Sequence, residues 1–66
     1  MYNSNFAEKA ITDEKIKQSI KSNRCAGSRD YTMVARDWFR RNRISFDEGD
    51  VLELALDLFH HDFNRQ

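Results

Sequence analysis

The sequence predicts a small all-α domain of two or three helices, and three observations support this fold class. The 66-residue chain contains no proline and only two glycines, so long uninterrupted helices are permitted. Apolar residues recur at helical spacing through the second half of the chain. Two segments also carry the residue types that start helices.

The first predicted helix begins after Thr12, whose hydroxyl can cap backbone amides. Asp13 and Glu14 would then occupy the first turn, where the helix dipole favours acids. Ile16 and Ile20 lie four residues apart and share one face of this helix.

The segments on either side of this helix carry weaker signals. Residues 1–11 are expected to form a flexible N-terminal segment ahead of a single helical domain at residues 12–66. Residues 23–30, which include Gly27 and Ser28, are expected to form a loop.

The second predicted helix has one aromatic face and one basic face. Its apolar residues follow the i, i+3, i+4, i+7, i+8 pattern: Tyr31, Val34, Ala35, Trp38 and Phe39. Arginines cluster on the other side or flank the apolar face: Arg36, Arg40, Arg41 and Arg43. Guanidinium groups suit paired contacts with carboxylate or phosphate, so these arginines are predicted to bind a partner or nucleic acid. Solvation, or internal pairing with acids near the following turn, is the alternative.

The third predicted helix has a capping box at Ser45 and Glu48, and a second cap is available at residues 47–50. Its apolar residues spread over about 200° of the helix surface, wider than the stripe of about 100° typical of a surface helix. Such a face contacts two neighbours, which predicts association through residues surplus to the monomer core. We expect the helix to fray near His60 or His61. The predicted oligomer interface consists of Leu52, Leu56, Phe59 and Phe63.

Charge is segregated although the net charge is zero. Residues 15–43 hold nine bases and two acids, whereas residues 44–66 hold six acids and one base. Opposite blocks can neutralise each other within a fold or a dimer, or the basic block can face an anionic partner. The single cysteine forms no internal disulfide, and no apolar run is long enough to span a membrane. We expect a cytoplasmic protein without a membrane interaction.

Catalytic and metal-binding patterns are weak. His60 and His61 point about 100° apart on a helix, so they do not ligate one metal together. Cys25 could act as a nucleophile with a histidine partner, but no glycine-rich phosphate loop or catalytic motif is present, so an inert loop thiol is favoured. The sequence therefore predicts no enzyme activity, no cofactor, no metal and no small-molecule substrate.

Residues 43–59, RISFDEGDVLELALDLF, resemble the turn and second helix of ribbon-helix-helix proteins, with residues 31–42 as the preceding helix. The resemblance implies an obligate dimer that binds DNA through a short strand ahead of the first helix. That strand would be residues 20–26, presenting Ser22 and Arg24 to the groove.

Two functions remain open from the sequence. The first is a non-enzymatic interaction or regulatory module, of inhibitor or adaptor type, that forms a homo-oligomer or binds a protein partner. The second is a DNA-binding transcriptional regulator that uses the basic middle segment. The acidic C-terminal third would repel phosphate from much of the surface, so the interaction module is preferred.

Overall fold

The computed structural model describes residue 3, residues 5–25 and residues 27–64, with the backbone alone described at residues 28 and 62–64. It contains four helices: α1 (Asn5–Ile11), α2 (Glu14–Ser22), α3 (Ser28–Arg41) and α4 (Glu48–Asn64). The all-α fold is confirmed for the described residues, which contain no strand. The expected number of two or three helices is wrong, because a fourth helix, α1, lies within the first eleven residues.

The junction between α1 and α2 explains why the predicted helix start is one residue early. The Thr12 hydroxyl donates hydrogen bonds to the carbonyls of Glu8 and Lys9, at 3.1 and 3.0 Å, and so closes the end of α1. Asp13 is the N-cap of α2, and its Oδ1 accepts from the Lys15 amide at 2.9 Å. Thr12 therefore ends one helix while its neighbour starts the next.

Helices α2 and α3 end in the same way. The residue after each Asn C-cap has a left-handed backbone, with φ of 48° at Arg24 and 56° at Arg43. The next amide then bonds back to the last turn, from Cys25 to the Ile20 carbonyl and from Ile44 to the Phe39 carbonyl. These are Schellman ends, which usually place glycine at the left-handed position.

The start of α3 shortens the loop that the sequence predicts at residues 23–30. The helix begins at Ser28, and Asp30 in its first turn accepts a hydrogen bond from the Gly27 amide at 3.1 Å. Residues 28–30 of the predicted loop therefore belong to α3.

The start of α4 uses the second of the two predicted caps. Asp47 Oδ1 accepts from the Asp50 amide at 2.9 Å, and Asp50 Oδ2 accepts from the Asp47 amide at 3.2 Å. This reciprocal capping box replaces the expected pair of Ser45 and Glu48. The helix continues to Asn64, beyond the point near His60 or His61 where the sequence predicts fraying.

An antiparallel hairpin of α3 and α4 forms the centre of the fold. Phe39 stacks on Phe46 at one end, with ring centroids 5.2 Å apart, and Tyr31 meets Phe59 edge to face at the other, at 5.8 Å. The predicted aromatic face of α3 is confirmed, since all five of its members are buried. The buried apolar residues are Ala10, Ile16, Tyr31, Val34, Ala35, Trp38, Phe39, Val51, Leu54, Ala55 and Leu58.

Helices α1 and α2 cover the hairpin. The Phe6 ring of α1 lies 5.7 Å from Trp38 and 5.6 Å from Phe39, while Ile16 of α2 is fully buried. Helix α1 also packs along α4, although Leu52 and Leu56 of the predicted oligomer interface remain exposed. Among the described helices, none has both the length and the apolar character needed to cross a membrane.

Candidate functional site

An exposed apolar ridge on α4 is the clearest surface feature of the hairpin. Leu52 and Leu56 lie one helical turn apart and are 55% and 45% exposed. Met33 on α3 is more exposed, at 67%, but it lies on another side of the molecule, beside Ser19 of α2 and Asn23, the C-cap of that helix. The two leucines therefore form a continuous apolar surface, whereas Met33 is isolated from them.

A shallow groove runs between this ridge and α3. We call it the α3–α4 groove; its volume is about 180 Å³, and it is lined by Arg29, Thr32, Leu52, Ala55 and Leu56. The antiparallel packing places the first turns of α3 beside the middle of α4. Arg29, which the sequence analysis did not single out, is thereby brought beside the leucines.

Two of the four predicted arginines are held in internal ion pairs. Arg36 bonds Glu48 at 3.0 Å and so ties α3 to the start of α4. Arg41 bonds Asp37 at 3.0 Å and lies 3.9 Å from Asp13 at the start of α2. Folding therefore neutralises part of the charge of the basic block. This is the internal compensation that the sequence analysis gave as one of two interpretations.

The other two predicted arginines, Arg40 and Arg43, are exposed. The described part of the chain places no carboxylate in ion-pair contact with either of them. Arg40 lies one turn beyond Arg36 on α3, and Arg43 follows the end of the helix. The four predicted arginines are therefore divided into two that are paired and two that are exposed to solvent.

The predicted oligomer interface is also divided. Leu52 and Leu56 are exposed, but Phe59 is half-buried against Tyr31. The side chain of Phe63 lies outside the described residues. An approaching chain would therefore meet the two leucines first, with the exposed part of Phe59 beside them.

An acidic flank lies on the far side of the ridge. At 3.6 residues per turn, Glu53 falls about 60° beyond Leu56 in the direction away from α3. Its side chain is exposed, and no described lysine, arginine or histidine forms an ion pair with it. The leucine ridge thus has arginine on one side and glutamate on the other.

Other regions of the described chain contain further side-chain clusters and a second groove. They bring together no group of three or more His, Cys, Asp or Glu side chains suited to a metal ion. The Cys25 thiol donates to the Asp30 carbonyl at 3.7 Å. A second groove of about 390 Å³ separates α1 from α4, lined by Ala7, Glu8, Ile11, Thr12, Asp57 and His61.

The segment that resembles ribbon-helix-helix proteins forms the turn and most of α4, and α3 takes the place of the preceding helix. Residues 20–22, the start of the strand that the resemblance implies, form the last turn of α2 here. No protein-family model, curated protein or solved structure matches this chain. The function of the candidate site is therefore inferred from the geometry of the site.

Proposed function

We propose that this chain is a non-enzymatic interaction module, of inhibitor or adaptor type, that binds another protein chain through the α3–α4 groove. The observation that carries the proposal is the pair of adjacent, half-exposed leucines, Leu52 and Leu56, beside the arginine-lined edge of α3. Burying leucine is favourable by roughly 1.5–3 kcal/mol per fully buried side chain, so a partner that covers both gains substantially.

The groove also has the composition of a protein interface. Arginine is enriched at such interfaces, because its flat guanidinium packs against apolar groups and still bonds carboxylates. Arg29 lines the groove together with Leu52 and Leu56, and the Thr32 hydroxyl in the same lining donates to the Arg29 carbonyl at 2.6 Å. Apolar area supplies affinity here, and the arginine selects for an acidic partner.

The test is capture of a protein partner from nuclease-treated native extract by the immobilised chain. The double substitution Leu52→Ser and Leu56→Ser should abolish capture, because both apolar contacts are lost. Met33→Ser is the matched control, since it removes an even more exposed apolar side chain that lies away from the groove. Circular dichroism should show unchanged helix content in both variants. Capture that survives the double substitution would contradict the proposal.

A second function is supported by a different observation, the absence of a described carboxylate partner at Arg40 and Arg43. Both are free to contact phosphate in a DNA-binding regulator. Each such contact steepens the dependence of log affinity on log salt by about 0.9 for duplex DNA. If this function is correct, Arg40→Ala and Arg43→Ala should each flatten that slope by about one unit. Arg41→Ala should change the slope less, because the Arg41 guanidinium is already paired with Asp37.

A further inference from the structure

We infer that the occupant of the α3–α4 groove is a second copy of this chain, with the two α4 helices parallel about a twofold axis that runs along them. This inference rests on the proposed function and names the partner. It follows from the spacing of the apolar ridge, the opposite charges on its flanks and the symmetry that those flanks require.

The ridge has the spacing of a helix pair. Leu52, Leu56 and Phe59 are separated by four and three residues, which is the spacing of the apolar seam of a coiled coil. Residues at this spacing form a nearly straight line along α4. The same line on a second α4 is a complementary apolar surface of equal length.

The flanks of the ridge carry opposite charges. Arg29 lies on the α3 side, and Glu53 lies on the other side; both are exposed, and neither has an ion-pair partner among the described residues. Arg29 also lies in the first turn of α3, where the helix dipole disfavours a cation. An external carboxylate at this position would pair with the Arg29 guanidinium, and the dipole of α3 would favour its negative charge.

Symmetry decides the orientation of the two copies. A twofold axis along α4 places the arginine flank of each copy against the glutamate flank of the other. The contact between Arg29 of one copy and Glu53 of the other therefore forms twice, once on each side of the axis. A twofold axis across α4 would make the helices antiparallel and place arginine flank against arginine flank. Like charges across an interface are unfavourable, so the parallel pair is selected.

Sedimentation velocity at low salt tests the self-association. The wild-type chain should change from monomer to dimer between about 1 and about 200 µM, because the contact is small and its dissociation constant is on the order of micromolar. Glu53→Lys and Arg29→Glu should each weaken the dimer by about tenfold or more, and the combined variant should recover it. Both residues are exposed, so the variants should fold, which circular dichroism verifies.

A cross-linking experiment tests the orientation. In a Cys25→Ser background, Leu56→Cys should form a disulfide with its own copy, because parallel helices bring equal positions together at the axis. An antiparallel pair would instead cross-link Leu56→Cys with Leu52→Cys in a mixture of the two variants.

Three results would overturn the inference. The first is a monomer at every concentration, and the second is a combined charge variant that dimerises no more tightly than the single variant with the weaker dimer. The third is preferential cross-linking between Leu56→Cys and Leu52→Cys in the mixture of the two variants. The proposed function is separable from these outcomes. A monomer that still captures a nuclease-resistant partner through Leu52 and Leu56 would contradict self-association and retain the interaction module.

Discussion

Two arginines occupy backbone positions where glycine is favoured. A left-handed backbone costs a residue with a side chain roughly 1–2 kcal/mol, and Arg24 and Arg43 both adopt it at helix ends. Positions of this kind are useful for stability tests, because the cost lies in the backbone and not in a contact.

Arg24→Gly should therefore increase the free energy of unfolding by about 0.5 kcal/mol, the relief of the left-handed backbone less the extra entropy of glycine in the unfolded chain. The measurement is urea denaturation followed by circular dichroism. Arg24→Ala is the control, since it removes the same side chain and keeps the strained backbone. Equal gains in both variants would show that the side chain, and not the backbone, is responsible.

The capping box of α4 gives a second prediction at this scale. Asp50 is only 8% exposed and bonds the Asp47 amide, so Asp50→Ala should lower the free energy of unfolding by about 1 kcal/mol. Ser45→Ala should change it little, although Ser45 fits the same sequence motif. If Ser45→Ala were the more destabilising of the two in thermal melts, α4 would start earlier than in this structure.

Residue patterns alone did not decide between these two caps. Ser45 with Glu48 and Asp47 with Asp50 both satisfy the spacing, and the choice depends on packing. With Asp47 as the cap, Phe46 remains outside the helix and stacks on Phe39. A start at Ser45 would place Phe46 within the helix and change that contact.

Helix α1 is the element that the sequence analysis missed. It has seven residues, and only Ala10 is fully buried. An isolated helix of this length is unstable in water, so its formation depends on tertiary contacts that a periodic pattern does not reveal. Helices α3 and α4 were predictable because each carries a long apolar face of its own.

Phe6 is the main contact of α1, which leads to a prediction for the element. Phe6→Ala should lower the free energy of unfolding by about 2 kcal/mol, less than for a fully buried phenylalanine, because Phe6 is half-buried. Glu8→Ala, an exposed change on the same helix, is the control and should have little effect. Equal midpoints for Phe6→Ala and wild type in urea would show that α1 contributes nothing to stability.

At the scale of the whole molecule, the segregated charges of the sequence are partly neutralised by folding. The turn before α2 brings Asp13 near Arg41, and the hairpin brings Glu48 to Arg36. The sequence predicted a basic face on the second helix, but not which of its arginines remain available to a partner, because that depends on how the helices cross. Arg29 was overlooked for the same reason, since only the antiparallel hairpin places it beside the leucines.

The packing of α1 on the hairpin has a spectroscopic consequence. Trp38 is the single tryptophan of the chain, it is 2% exposed, and the Phe6 ring lies against it. An indole shielded from water emits at shorter wavelength than a hydrated one, so the intrinsic fluorescence of this protein reports whether its N-terminal helix is docked. Undocking of α1 would shift the emission to the red while α3 and α4 kept their helical signal, so the docking of this helix can be followed without any label.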